Sequence, residues 1–270
     1  MLGVVMQLDK IIIALRQRNP WEAMDLGVML MRVLWPVIFI PWLILISIVL
    51  TSVLFFQSQG YFYFSLIFMW LIKPVYDSML LFILSRSVFA EYPVTSDVYS
   101  SSANWLKTGL ITTFSFWRLS LSRSFNMPVH LLEGLSGDDR KKRLQSLHRV
   151  PGSHSATLTI IGVHFEYVMT FALYSLIFYI VPEASDDYIN VFIDNAGDNA
   201  SWIMAASVIY ALVIFILEPF YVASGFMLYL NRRTQLEGWD IELDFRMLVQ
   251  RIQKSLGIKK TESGSQNDHV

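Results

Sequence analysis

The sequence predicts an all-α fold: a polytopic membrane protein with four transmembrane helices arranged as a duplicated hairpin, accompanied by amphipathic interfacial helices. Three observations carry this expectation. Apolar residues make up 54% of the 270 positions and aromatics 14%, above the usual composition of globular chains. Four apolar runs, 33–56, 61–84, 158–181 and 203–230, are each long enough to cross a hydrocarbon core, for which about 20 helical residues are needed. A short ordered motif in the second run recurs in the fourth. The chain has no cysteine, so disulfides, thiolate metal sites and a cysteine nucleophile are excluded.

Taken in order, residues 1–32 read as a cytoplasmic amphipathic segment. They lack the basic start, short apolar core and cleavage site of a signal peptide, and are expected to be retained. Asn19 as N-cap, Pro20 at the first helical position and Glu22 in the first turn announce a helix start. The first hairpin occupies 33–84, its two spans joined only by QSQG. Prolines 36, 41, 74 and 219 are expected to kink their helices without breaking the spans, because neighbouring helices can satisfy the carbonyls that they free.

Residues 85–157 form a basic cytoplasmic loop. Within it, 103–121 is apolar but interrupted by Lys107 and Arg118. It is expected to lie flat in the interface with Trp105 and Trp117 at headgroup level, since a fifth crossing would place the acidic loop inside and the basic tail outside. The second hairpin, 158–230, encloses an acidic outer loop at 182–202 with five carboxylates and no Lys or Arg. Residues 231–270 are expected to hold a cytoplasmic amphipathic helix, with Ile241, Phe245, Leu248 and Ile252 at helical spacing, and a disordered tail. Four basic residues precede the first span, nine lie in the central loop and seven in the tail. Both termini and the central loop are therefore expected in the cytoplasm.

The repeated motif sets LIKPVYD against ILEPFYV, aligning Pro74 with Pro219 and Tyr76 with Tyr221. With a one-residue slip, Arg86 matches Arg232 and Glu91 matches Glu237. It implies a parallel duplication. It also sets Lys73 opposite Glu218, at about 16 Å and 18 Å from their expected cytoplasmic helix ends at 1.5 Å rise per residue. Together with Asp77, His164 and Glu166, these residues form a predicted intramembrane polar cluster, with Pro74 and Pro219 as helix breaks. A charge facing lipid at that depth costs at least about 2.5 to 3.5 kcal/mol, so partners are expected inside the bundle.

Two readings of the cluster stand side by side: a structural latch between pseudo-equivalent helices, and a transport or proton site in which the charges titrate. His164 and Glu166 are two apart and point to different helix sectors, which argues against a metal site made from both. No metal and no cofactor is expected. A cytoplasmic surface for partners or anionic lipid is assigned to Arg86, Arg140, Lys141, Lys142, Arg143, Arg232, Arg233 and Asp240. For DDRKKR, 138–143, attraction to anionic headgroups is a simpler account than nucleic acid. The Ser and His residues of SLHRVPGSHS are not framed as a catalytic motif, and IDNAGDNAS departs from calcium-loop spacing.

MQLDKIIIALRQRNPWEAMDLG, the LIKPVYD run, SRSVFAEYP, PVHLLEGL and YLNRRTQLEGWDIELDFR together resemble a poorly characterised bacterial family of multipass inner-membrane proteins. Longer members of that family carry an extra soluble C-terminal domain of unknown function. The ending LYLNRRTQLEGWDIEL is more distantly similar to the membrane domain found beside some glycerophosphodiester phosphodiesterases. The resemblance implies an envelope-related complex, with MoxR-type ATPases and von Willebrand factor A proteins as associates, and it supplies no catalytic residue. The leading functional expectation is a non-enzymatic inner-membrane scaffold or anchor. The alternative is a small transporter or channel component using Lys73, Asp77, Glu166 and Glu218, which would require a homo-oligomer because four spans are few for a carrier. A lipid-acting enzyme ranks third.

Overall fold

A computed structural model describes residues 16–115, 120–149, 154–180 and 200–238. Among these the chain is all-helical: α1 (Pro20–Ser58), α2 (Phe62–Leu71), α3 (Lys73–Val88), α4 (Thr95–Ser100), α5 (Ser102–Phe114), α6 (Arg123–Leu131), α7 (Gly137–His148), α8 (Ser155–Ile180) and α9 (Ala200–Glu237). Four helical stretches are long and apolar enough to cross a membrane: α1, α2 with α3, α8, and 202–237 of α9. They coincide with the four runs expected from the sequence. The predicted outer loop, the C-terminal amphipathic helix and Trp117 lie outside the described residues.

The helix start at Asn19 forms as its residue types require. The Asn19 side chain accepts from the Trp21 amide at 3.1 Å, and the Asn19 carbonyl receives the Ala23 amide at 3.0 Å. From there α1 runs without interruption for 39 residues through Pro36 and Pro41, so 20–32 is the first part of the span's own helix and not a separate segment. This stretch packs on α9. A Cβ built on Gly27 would lie 2.5 Å from Ser224 Cα, which means that the two backbones meet there with no side chain between them. The Ser224 hydroxyl donates to Met24 O at 3.2 Å. Small residues at such crossings let helices approach closely and gain dispersion contact.

The two proline breaks behave differently. At Pro74, which cannot donate to Trp70 O, the chain ends α2 at Leu71 and begins α3 at Lys73. At Pro219, α9 continues. The carbonyl that this proline leaves without a helical donor is that of Phe215, and the indole N–H of Trp42 donates to it at 2.9 Å. Trp42 itself is fully buried. A donor from another helix thus replaces the missing amide and the helix survives.

α3 is the buried axis of the molecule, with every residue but Arg86 inside. α1, α5, α6 and α9 surround it. The loop helix expected to lie flat at the interface instead stands against α3. Gly109 sits with its Cβ position 2.7 Å from Val75 Cα, the Thr113 hydroxyl donates to Leu71 O at 3.4 Å, and Trp105 is 3% exposed with its N–H on Val98 O at 2.9 Å. The reason lies in the stripe Trp105, Thr108, Gly109 and Thr112, one helical face of small and buried residues that fits α3 closely. Leu106, Leu110 and Phe114 face outward. α6 then returns, with Ser124 against Gly225 and Phe125 against Tyr229, ring centroids 6.4 Å apart. α5 thus ends beside Leu71 and α6 starts beside Asp77, so the two form a short helical hairpin that reaches the level of Lys73, with α6 running along α9 past Gly225 to Tyr229.

Candidate functional site

The sequence places four of its five predicted polar residues together. Lys73, at the first position of α3, is 2.7 Å from Glu166 Oε2 of α8 and 3.3 Å from Glu218 Oε2 of α9. The expected pairing of Lys73 with Glu218 is present, and Glu166 makes the shorter contact. Asp77, one helical turn beyond Lys73, is fully buried. Its Oδ2 receives the Arg123 Nε at 2.7 Å. Arg123 Nη2 stands 3.6 Å from Glu218 Oε1. Glu166 Oε1 accepts from the Tyr210 hydroxyl at 2.5 Å, and Tyr221 and Thr159 share a hydroxyl contact of 3.0 Å beside the group.

His164 does not join them. It is exposed on the outer side of α8, with Nδ1 against Ile160 O at 2.8 Å, as its two-residue offset from Glu166 dictates. Its place in the predicted cluster is corrected accordingly. Arg123 and Tyr210 are the members that sequence reading missed. The predicted set held three carboxylates and one cation, an imbalance that calls for a second cation, and the central loop carried several basic residues that could supply it. Nothing in the local sequence singles out Arg123 among them, because the α5–α6 hairpin that carries it inward is a tertiary feature.

The five charges tie together α3, α6, α8 and α9. Two cations face three carboxylates, all of them largely shielded from solvent. In such surroundings charges interact strongly and an unpaired one is costly, so removing a single partner is far more damaging than the pair is stabilising. Chemically the group can hold helices in register or bind a proton or small cation. Among the described residues no three His, Asp or Glu side chains are grouped to hold a metal ion.

A second network lies toward the end where α9 finishes. Arg143 of α7 forms a fork to Glu133, with Nε 2.8 Å from Oε2 and Nη2 2.8 Å from Oε1, and its Nη2 also reaches Glu237 at 2.5 Å. Arg233 joins Glu237 at 3.0 Å, and the Tyr229 hydroxyl donates to Glu133 at 2.5 Å. The hydrogen bonds that Arg143 donates to Glu133, and then to Glu237, raise its pKa despite partial burial. The predicted lipid or partner surface is therefore largely occupied. Arg143 and Arg233 are in this network, Arg140 is buried, Arg232 donates to Leu147 O at 2.9 Å, and Arg86 lies 4.5 Å over the Phe82 ring. Lys141 and Lys142 are exposed as expected, and Asp240 lies outside the described residues.

Compared with family models, curated proteins and solved structures, the chain finds no match in any of the three.

Proposed function

We propose that the protein is a non-enzymatic integral membrane scaffold, whose two charge networks, one buried and one partly exposed, hold a rigid frame that presents the exposed face of α7 to a partner or to anionic lipid. The supporting observation is how the charges are paired between helices. Lys73 and Arg123 join α3, α6, α8 and α9, and Arg143 joins α7, Glu133 and α9. Lys141 and Lys142 point away from both networks. The distribution of basic residues supports four crossings with both termini and α7 on the cytoplasmic side, and the resemblance to bacterial multipass proteins supports an inner-membrane location. Lipid then covers the outward apolar surface of α8, which includes Val163, Phe165, Val168 and Phe171.

The parallel duplication belongs to the same proposal. It is supported by the shared motif, although the first copy breaks at its proline and the second does not. The resemblance to bacterial multipass inner-membrane proteins supports partners of the MoxR-type ATPase class. A transporter or channel component is the second reading, favoured by the gathering of Lys73, Asp77, Glu166 and Glu218 at one level.

The test compares wild type with a Lys141→Glu, Lys142→Glu double variant, purified from native membranes at matched abundance. The scaffold reading expects a stoichiometric soluble partner that the variant loses while its thermal stability stays unchanged. Recovery of the same partner by both proteins, or a pH- or voltage-driven flux in proteoliposomes without any partner, would displace it in favour of transport.

A further inference from the structure

Two carboxylate oxygens in the buried cluster have no hydrogen-bond partner: Asp77 Oδ1 and Glu218 Oε1. Their sister oxygens are engaged. Asp77 Oδ2 accepts from Arg123 Nε at 2.7 Å, and Glu218 Oε2 is 3.3 Å from Lys73 Nζ. Arg123 Nη2, at 3.6 Å from Glu218 Oε1, is beyond hydrogen-bond distance. Asp77 is 0% exposed and Glu218 4%, so bulk water does not solvate either oxygen. The two carboxyl groups lie beside the same Arg123 guanidinium, Asp77 at its Nε and Glu218 at its Nη2.

Two buried carboxylates that share one guanidinium, each with an oxygen left without a donor, cannot both be satisfied while both groups are ionised. One proton resolves this. Placed on either carboxyl, it makes an O–H that donates to the other, removes both orphans at once, and leaves two cations opposite two carboxylates. Glu166 is a poorer home for it, because its oxygens are already taken by Lys73 Nζ and the Tyr210 hydroxyl. Tyr76 of α3 has a buried hydroxyl without a partner and lies near both acids. The remaining groups near the pair are Lys73 from α3, Arg123 from α6 and Tyr210 from α9, with Tyr221 of α9 beside Arg123 and in hydroxyl contact with Thr159 of α8. α1 presents the apolar ring of Trp42 to Tyr76, centroids 5.5 Å apart.

We propose that Asp77 and Glu218 form a proton-binding site, holding a single exchangeable proton between their carboxyl groups. This goes beyond the scaffold reading, since a frame that is only mechanical has no use for an odd carboxylate. It also places the titratable element at the junction of α3, α6 and α9, where loss of the proton sets two negative charges against each other.

The experiment is infrared spectroscopy of the protein in liposomes, following the carbonyl stretch of protonated carboxyl groups in H₂O and D₂O at neutral pH. The expected result is a band equivalent to one buried carboxyl that shifts in D₂O. It should be lost in Asp77→Asn and in Glu218→Gln, and kept in Glu166→Gln. Absence of a buried carboxyl band in wild type would overturn the proposal, as would its persistence in both variants. Should either variant fail to fold, the wild-type spectrum in sodium and in choline buffers still decides. A band of the same size in both buffers supports the proton, and one that appears only when sodium is withdrawn shows that the pair binds a metal cation instead.

Discussion

Trp42 shows how much one side chain can decide. Its indole N–H covers the Phe215 carbonyl that Pro219 leaves exposed, so Trp42→Phe should lose a hydrogen bond and strand a buried acceptor, at a cost of about 1 to 3 kcal/mol. In a Pro219→Ala background the alanine amide can reclaim that carbonyl, and the same substitution should then cost markedly less. Thermal unfolding in detergent of the four proteins checks this. The prolines were legible in the sequence, as was the need for substitute donors. Which residue supplied the donor was not, because Trp42 and Phe215 are 173 positions apart. Ala90 offers a simpler case. It follows α3 with φ 59°, a left-handed conformation that costs a residue with a Cβ about 1 to 2 kcal/mol. Ala90→Gly should therefore raise the melting temperature, since a glycine in that position relieves the cost.

Among the elements, the long helices could be read from apolar length alone, and the N-cap of α1 from Asn19, Pro20 and Glu22. The α5–α6 hairpin could not. Its buried face of Trp105, Thr108, Gly109 and Thr112 is visible as a helical stripe, but lipid and a neighbouring helix make the same demand for amphipathicity. Only the small residues hinted at a helix partner. Gly109→Leu should drive α5 away from Val75 and Ser78, costing about 1 to 3 kcal/mol or more. Quenching of Trp105 fluorescence by a water-soluble quencher should rise with it. An unchanged melting temperature together with an unchanged quenching profile would mean that α5 does not pack there.

For the whole molecule, the sequence carried the number and order of the long helices and four of the five clustered charges. It did not reveal the partners of Arg143 and Arg233, because pairing between segments distant in the chain cannot be seen from charge runs. One consequence concerns pH. His148 ends α7 with its ring 5.1 Å from Phe125 and Nε2 2.8 Å from Asn126 Oδ1. Burial first, and then the nearby Arg232 charge, lower its pKa below the usual histidine value. The unfolded chain therefore takes up this proton at a higher pH than the folded one. The neutral-histidine contribution to stability is complete above the ordinary value of about 6.5 and is lost as the pH falls below it. His148→Gln should flatten that part of the stability curve between pH 7.5 and pH 5, measured at constant salt.

What holds these parts as one frame is the buried network, and the bond that brings the α5–α6 hairpin into it is Arg123 with Asp77. A double-mutant cycle in thermal and denaturant unfolding, with Arg123→Ala, Asp77→Ala and both together, measures that bond. Arg123→Ala should cost about 3 to 5 kcal/mol, because it leaves buried carboxylates short of a cation. The double variant should be more stable than the sum of the single losses by well over 1 kcal/mol, the signature of a direct contact. Losses that simply add would mean that Arg123 and Asp77 do not meet, and that the hairpin is held by something other than the charge network.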